Sequence, residues 1–243
     1  MVKQKLVSII VPAHNEEKNL PRCVSSLIKT CGGVKHEIII VDDCSSDSTG
    51  KIADFLAKKN RNVRVVHRKM PNGFGLAIRS GLDAARGDIL IPFMCDLSDD
   101  PKTILTMVDR LSDGYDIAIG SRFVSGGRLI DYPKMKYLAH RAYSTVVSVL
   151  FMKNIRDFSN AFKAYRRETL RGIKIGSTGF EITAEMILKP IALKKVRIIE
   201  IPTVWTNRKS GKAKFTGLFR QGLRYGRVML DCLMLRVTGR SFF

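Results

Sequence analysis

No run of about eighteen apolar residues occurs in the 243-residue chain, so no segment is expected to span a bilayer. Acidic residues are scarce: 22 Asp and Glu stand against 42 Lys and Arg, a net charge of +20. That imbalance calls for an anionic partner, whether nucleic acid, phosphorylated ligands or an acidic membrane surface. Nucleic acid is disfavoured, because no helix-turn-helix, zinc or aromatic RNA-binding signature is present. The five cysteines (Cys23, Cys31, Cys44, Cys95 and Cys232) are odd in number and lack a CxxC pair. They read as buried thiols in a reducing compartment, not as disulfides or zinc ligands. The four histidines show no metal-ligand spacing, and no linker rich in Pro, Gly or Ser divides the chain. The opening "MVKQKLVSIIVPAHNEE" has too short an apolar run for a secretory signal.

Apolar residues make up 45% of the chain, as in a globular protein with a substantial core. Over the first 120 residues strand-like and helix-like patterns alternate. Strands are expected at 6–11, 37–41, 63–66, 89–93 and 116–120. Between them, Leu20, Cys23, Val24, Leu27 and Ile28 share one helical face. Further helices are expected around Ile52, Phe55 and Leu56, over "GLAIRSGLDAA", and over "TILTMVDRLS". Continuous apolar strands separated by helices predict an α/β fold with a mostly parallel sheet covered on both faces. Ligands of such sheets bind outside the carboxyl ends of the strands, here the loops after residues 11, 41 and 93. After residue 120 the alternation stops. A helix is expected from Pro133 to Met152, one strand over 196–205, a basic loop "TNRKSGKAKF", and a helix over 216–238. In that last stretch Phe215, Phe219, Gly222, Gly226, Met229 and Leu233 recur at helical spacing, with Arg220, Arg224 and Arg227 on another side. Such a helix is either a membrane-surface anchor or a strut packed on the core with a solvated basic face.

Carboxylates gather at three of the expected strand ends, at Glu16 and Glu17, at Asp42 and Asp43, and at Asp96, Asp99 and Asp100. Each group alone suits a helix cap; together they converge on one crevice. Asp100 followed by Pro101 is a good helix start, an N-cap and first-turn pair. Asp96 lacks that explanation and is the better metal-ligand candidate.

The segments "SIIVPAHNEEKNL", "IIIVDDCSSDSTG", "GFGLAIRSGLDAARGDILIPFMCDLSDDP", "IGSRFVSGG", "DFSNAFKAYRR" and "WTNRKSGKAKF" occur in the order seen in family 2 inverting glycosyltransferases. They most resemble the polyprenyl-phosphate branch, typified by dolichol-phosphate mannose synthase. The resemblance covers about residues 6–215 and implies a GT-A fold, with 216–243 following as the basic amphipathic helix. It implies a nucleotide pocket lined by Pro12, His14, Glu16, Val41, Asp43 and Cys95. The family's Asp-x-Asp-x-Gln metal motif falls on Met94, Cys95, Asp96, Leu97 and Ser98. Asp96 and Ser98 are then the ligands for Mg²⁺ or Mn²⁺, since the thioether of Met94 suits a hard cation poorly. Asp99, water or basic residues would complete or replace the site. Arg122 and Arg141 match positions that meet phosphate and acceptor, and Arg208 matches one that grips the donor diphosphate.

The activity implied is transfer of a hexose from a nucleotide sugar, of the GDP-mannose or UDP-glucose type, to a dolichyl or undecaprenyl phosphate. Such an acceptor is already ionised and needs no strong base. The chain would work peripherally on the cytoplasmic side of a membrane. The alternative keeps the fold and takes a saccharide or protein hydroxyl as acceptor, with Asp157 or Glu181 as the base.

Overall fold

The computed structural model describes residues 5–207 and 217–239. It has β1 (Val7–Ala13), α1 (Leu20–Cys31), β2 (His36–Asp43), α2 (Thr49–Lys59), β3 (Val63–Arg68), α3 (Phe74–Ala84), β4 (Ile89–Pro92), α4 (Thr103–Ser112) and β5 (Ile117–Ser121) in regular alternation. Then follow β6 (Arg128–Ile130), α5 (Lys134–Leu150), β7 (Lys163–Arg166), α6 (Arg167–Leu170), α7 (Ile182–Leu193), β8 (Ile198–Pro202), β9 (Val204–Thr206) and α8 (Leu218–Thr238). Seven strands form one sheet in the order β3-β2-β1-β4-β7-β5-β8. All its pairings are parallel except those of β7, which runs antiparallel between β4 and β5. Strands β6 and β9 form a separate parallel pair.

Two cores follow from the two-residue period of the strands. Val7, Ile9 and Val11 face α1 and α4, meeting Leu20, Cys23, Val24, Leu27, Ile104, Met107 and Leu111. Ile10, Ile39 and Val41 face the other way, onto Ala77 and Ile78 of α3 and the buried sides of α5 and α7. Burying each such aliphatic side chain contributes about 1.5–3 kcal/mol. Helix α3 lies close on the sheet at Gly81, where any Cβ would collide with Ile10 Cγ2 and press on Val41.

Two local expectations, the strand over 196–205 and the helix start at Asp100, are corrected. The single strand over 196–205 breaks at Thr203, and its halves join different sheets. The Thr203 N–H makes the last bond of the β5–β8 ladder, to the Ser121 carbonyl at 3.0 Å, while the Thr203 carbonyl accepts the Arg128 N–H of β6 at 3.0 Å, where the second sheet begins. Helix α4 begins at Thr103, two residues after Pro101. Asp100 instead organises the preceding turn, its Oδ1 accepting the Lys102 N–H at 3.0 Å. Helix α7 is buried all round, so its sequence has no amphipathic stripe to mark it. Helix α8 packs part of the expected face, Met229 and Leu233, on the core, together with Tyr225 and Val228 and the buried Cys232 and Leu235. No helix among the described residues is long and apolar enough to cross a membrane.

The close approach at Gly81 yields a direct test. Gly81→Ala should destabilise the fold by about 1–3 kcal/mol, the usual range for overpacking. Urea unfolding of the two proteins measures the difference, and an unchanged midpoint would contradict the packing described.

Candidate active site

Because β1 pairs with β2 and β4 in parallel, the carboxyl ends of these strands lie side by side. Just beyond each strand is a non-glycine residue in the left-handed region: Asn15 (φ 52°), Cys44 (φ 59°) and Leu97 (φ 56°). Such conformations cost on the order of 1–2 kcal/mol apiece and persist where the surroundings impose them. A cavity of about 440 Å³ opens over these ends.

One end of the cavity is built from β1 and β2. Pro12, His14, Glu16 and Asp43 line it. His14 Nδ1–H donates to the Asp43 carbonyl at 2.8 Å. The Asp43 carboxylate pairs with Arg68 and accepts the Gly73 N–H at 2.8 Å. Glu16 is buried, held by Asn19 Nδ2 at 2.6 Å. Val41 is elsewhere: its side chain lies wholly in the core beneath α3 and is absent from the cavity lining. The alternation of the strand explains this, since Val41 and Asp43 share a face but only Asp43 reaches past the sheet's edge.

Met94, Cys95, Asp96 and Ser98 line the middle. Asp96 Oδ1 accepts the Ser98 N–H at 3.1 Å, which closes the turn around Leu97. No group of three His, Cys, Asp or Glu side chains able to hold a metal lies together among the described residues. The donor set is therefore one carboxylate and one hydroxyl beside a soft thioether. It fits an ion that keeps waters and takes oxygens from a bound diphosphate, and does not fit a preformed all-protein cage.

The far end is built after β5. Arg122, only 6% exposed, is locked to the fully buried Asp157: Nε and Nη2 donate to its two oxygens, each at 2.8 Å. Ser159 Oγ takes a further bond from Nη2 at 2.9 Å, and Nη1 reaches Tyr132 Oη at 3.3 Å. Burial alone would raise the Asp157 carboxyl, but the Arg122 charge and its hydrogen bonds outweigh that and hold it below the usual carboxylate range. Lys136 and His140 of α5 line the same end, with Tyr132 and Trp205, whose rings meet edge to face at 4.7 Å. Burial, reinforced by the Arg122 charge, pushes the His140 imidazole down to about 4, so it is neutral at neutral pH. Arg141 does not reach the cavity. Its guanidinium covers the Phe123 ring at 5.1 Å and donates to the Arg156 carbonyl at 3.4 Å. Positions 136 and 140 are one helical turn apart and share a face; position 141 is turned away from it. That spacing of Lys and His was the signal available in the sequence for both missed residues.

Asp99 joins the middle to the far end. It is 2% exposed, accepts a bond from Asn160 Nδ2 at 3.0 Å and lines the cavity. Burial pushes its carboxyl up to about 7, against the opposing effects of Asn160 and Arg122. Neither Asp157 nor Glu181 is part of the lining among the described residues. Arg208 lies outside the described residues, as do Lys209, Lys212 and Lys214.

The mostly parallel sheet, with one cavity over its strand ends and an acidic centre beside a cationic wall, defines a glycosyltransferase of the GT-A type. Solved structures share the fold: glucosyl-3-phosphoglycerate synthase from Mycobacterium tuberculosis in complex with Mn²⁺, uridine-diphosphate and phosphoglyceric acid superposes with a TM-score of 0.69 at 19% identity, over 96% of this chain and 79% of that one. Residues 8–173 match the sequence profile of Glycosyl transferase family 2, and the chain belongs to that family. It is 32% identical over 213 residues to a dolichol-phosphate mannosyltransferase of Pyrococcus furiosus, spanning 87% of this chain but only 59% of that protein. It is 32% identical to a polyprenol monophosphomannose synthase of Mycolicibacterium smegmatis, covering 86% of this chain and 80% of that one. It is 31% identical to an undecaprenyl-phosphate mannosyltransferase of Micrococcus luteus, covering 87% and 88%.

Lys163, fully buried on β7, offers a pH test. Its ammonium donates to the Asn160 carbonyl and, at 3.5 Å, to the Thr183 carbonyl. Burial pushes it down from 10.5 to about 7. Across that window the unfolded chain holds a proton that the folded chain has released, so this position's contribution to stability rises with pH. Urea unfolding from about pH 6 to about pH 9 should show wild type gaining stability relative to Lys163→Met above pH 7. A constant difference would refute the assignment.

Proposed function

We propose that this protein transfers a hexose from a nucleotide sugar to a polyprenyl phosphate, working peripherally at the cytoplasmic face of a membrane. The observation that carries this reading is the far wall of the cavity. There Arg122, its orientation set by Asp157, stands with Lys136 opposite the acidic donor end. Two cations on that wall suit an acceptor that is itself an anion. The names of the relatives support a polyprenyl-phosphate acceptor and a mannosyl donor.

In the proposed reaction, His14, Glu16 and Asp43 hold the nucleotide, and Arg208 grips the diphosphate as the resemblance implies. Arg122 and Lys136 hold the acceptor phosphate in line with the anomeric carbon. One phosphate oxygen forms the new bond to that carbon while the bond to the diphosphate breaks and its electron pair leaves on the diphosphate oxygen, inverting the configuration. A Mg²⁺ or Mn²⁺ ion held by Asp96 and Ser98 would neutralise charge on the leaving group. Neutral His140 adds no charge of its own and leaves the two cations to define the anion's position.

One observation favours a hydroxyl acceptor: Asp99, a carboxyl in the lining with a pKa near neutrality, has the acidity that general-base catalysis prefers. Asp157 and Glu181 do not suit that role, since Asp157 is paired with Arg122 and Glu181 lies outside the lining among the described residues.

Incubation with radiolabelled GDP-mannose and UDP-glucose and a polyprenyl phosphate should give a lipid-linked sugar with one of them. Asp96→Asn should then lower kcat by about 100-fold or more, the scale of lost leaving-group stabilisation. Asp99→Asn separates the two acceptor readings. An already ionised phosphate acceptor should lose no more than a few-fold in rate, whereas a hydroxyl acceptor should lose about 100-fold or more.

A further inference from the structure

We propose that a second cavity, walled by the latter half of α3 and by the stretch 167–175, binds a small aliphatic phosphate and is coupled to the catalytic cavity. Its volume is about 450 Å³, within the range of about 300–1,000 Å³ usual for small-molecule sites. The inference goes beyond the transfer reaction read above and does not depend on it.

The lining has two parts. Leu82, Leu90, Leu170, Ile173 and Ile175 give it an aliphatic floor, and among the described residues no aromatic ring borders it. Arg79 of α3 and Arg167 and Arg171 of the opposite wall share the lining with a single carboxylate, that of Asp83. The walls are held in place by bonds to backbone. Arg167 Nε and Nη2 donate to the Gly87 and Ala85 carbonyls at 2.6 and 2.8 Å, which ties α6 to the end of α3. Lys194 Nζ donates to the Glu168, Thr169 and Arg171 carbonyls at 3.0, 3.1 and 3.0 Å, and Lys189 Nζ to the Lys174 carbonyl at 2.8 Å. Arg79 and Arg171 differ: among the described residues neither guanidinium has a hydrogen-bonding or ion-pair partner. One solvated arginine is ordinary. Guanidiniums brought from two elements to one apolar concavity form a receptor for an anion.

Charge and floor select the ligand class. Three guanidiniums against one carboxylate leave two positive charges, which match a phosphate monoester, nearly a dianion at neutral pH, better than a carboxylate. The floor offers Leu and Ile to an aliphatic body and no ring on which a base could stack, unlike the catalytic cavity with Phe74, Phe180 and Trp205. Coupling follows from the walls, because both continue into the catalytic cavity. On α3, Phe74 and Ala77 line that cavity, and Arg79, Leu82 and Asp83 line this one. From Ile175 the other wall runs on to Phe180, which stacks on Phe74 at 4.5 Å. Between the two cavities the walls are seamed: the Gly75 N–H donates to the Thr178 carbonyl at 2.9 Å. A Cβ at Gly75 would come within 2.6–2.9 Å of backbone atoms of Ser177, Thr178 and Gly179. A ligand that bridges Arg79 and Arg171 therefore stiffens the two elements that carry Phe74 and Phe180, and lowers the ordering cost of filling the catalytic cavity.

The test is isothermal titration of the full chain with octyl phosphate, and with inorganic phosphate as the control. Wild type should bind one equivalent of octyl phosphate more than the double variant Arg79→Gln with Arg171→Gln, whatever the catalytic cavity takes up. Melting temperatures without ligand should agree, because neither side chain has a partner to lose. Inorganic phosphate should fill the extra site about tenfold or more weakly, for want of an aliphatic body. Octyl phosphate should slow amide hydrogen exchange over 167–175 in wild type and not in the variant. Its presence should tighten binding of GDP or UDP, whichever the protein takes, by about fivefold or more in wild type relative to the variant. Equal stoichiometry in the two proteins, equal affinity for inorganic phosphate, or exchange unchanged over 167–175 would overturn the proposal. So would a nucleotide affinity that octyl phosphate alters equally in both. Every readout is binding without turnover, so failure of the proposed transferase activity would leave this result standing on its own.

Discussion

Strand β1 hydrogen-bonds in parallel to β2 from Val7 to Ala13 and to β4 from Val7 to Ile10, and both of its faces are buried. Parallel strands cannot be joined by a tight turn, so each connection must cross the sheet and return, and here α1 and α3 fill those crossovers. The consequence is directional. Every loop that follows β1, β2 and β4 emerges at the same edge, bringing Glu16, Asp43 and Asp96 to one cavity. The left-handed residues at 15, 44 and 97 show that the chain is turned sharply at each exit. Aliphatic burial on both sides of the sheet supplies the stability that lets such turns persist.

Strand β7 imposes the second constraint. Inserted antiparallel between β4 and β5, it separates the acidic edge from the half that follows β5. The segment leading into it, 157–162, carries Asp157, Ser159 and Asn160, which bind Arg122 and Asp99. Burying an ion pair costs desolvation of both charges, and an apolar pair of similar shape would often be as stable. What the pair provides here is orientation: Asp157 accepts from the Nε–Nη2 edge of the guanidinium and also from the Arg122 backbone N–H at 3.0 Å, so the cation cannot swing out. An acidic edge and a cationic wall thus face each other across one cavity, each held by groups behind it.

The excess positive charge has two separate destinations. A small part lines the cavity, in Arg122 and Lys136. A larger part is spread over the surface, including the arginines along α8. Local placement, and not the total, decides which cations touch substrate and which set the protein's long-range attraction to anionic surfaces.

Reading residues in order was sufficient for the alternating first half, because period-two and period-3.6 patterns are local properties. It was sufficient for Glu16, Asp43 and Asp96 too, since a parallel sheet puts strand ends at one edge whatever the details. It failed where position depends on rotation or on distant partners. Arg141 and Lys136 are five residues apart on one helix, and only the packing of α5 says which of them faces the cavity. Val41 is two residues before Asp43, which lines the cavity, yet lies wholly in the core. Helix α7 shows no stripe because it is surrounded, and the strand divides at Thr203 because its carbonyl takes the Arg128 N–H of β6 as partner. The apolar side of α5 could be counted in the chain, but whether it met a core or solvent was settled only when α7 and α8 had taken the other positions around it. Periodicity names the faces of an element; which face is covered is a property of the assembled fold.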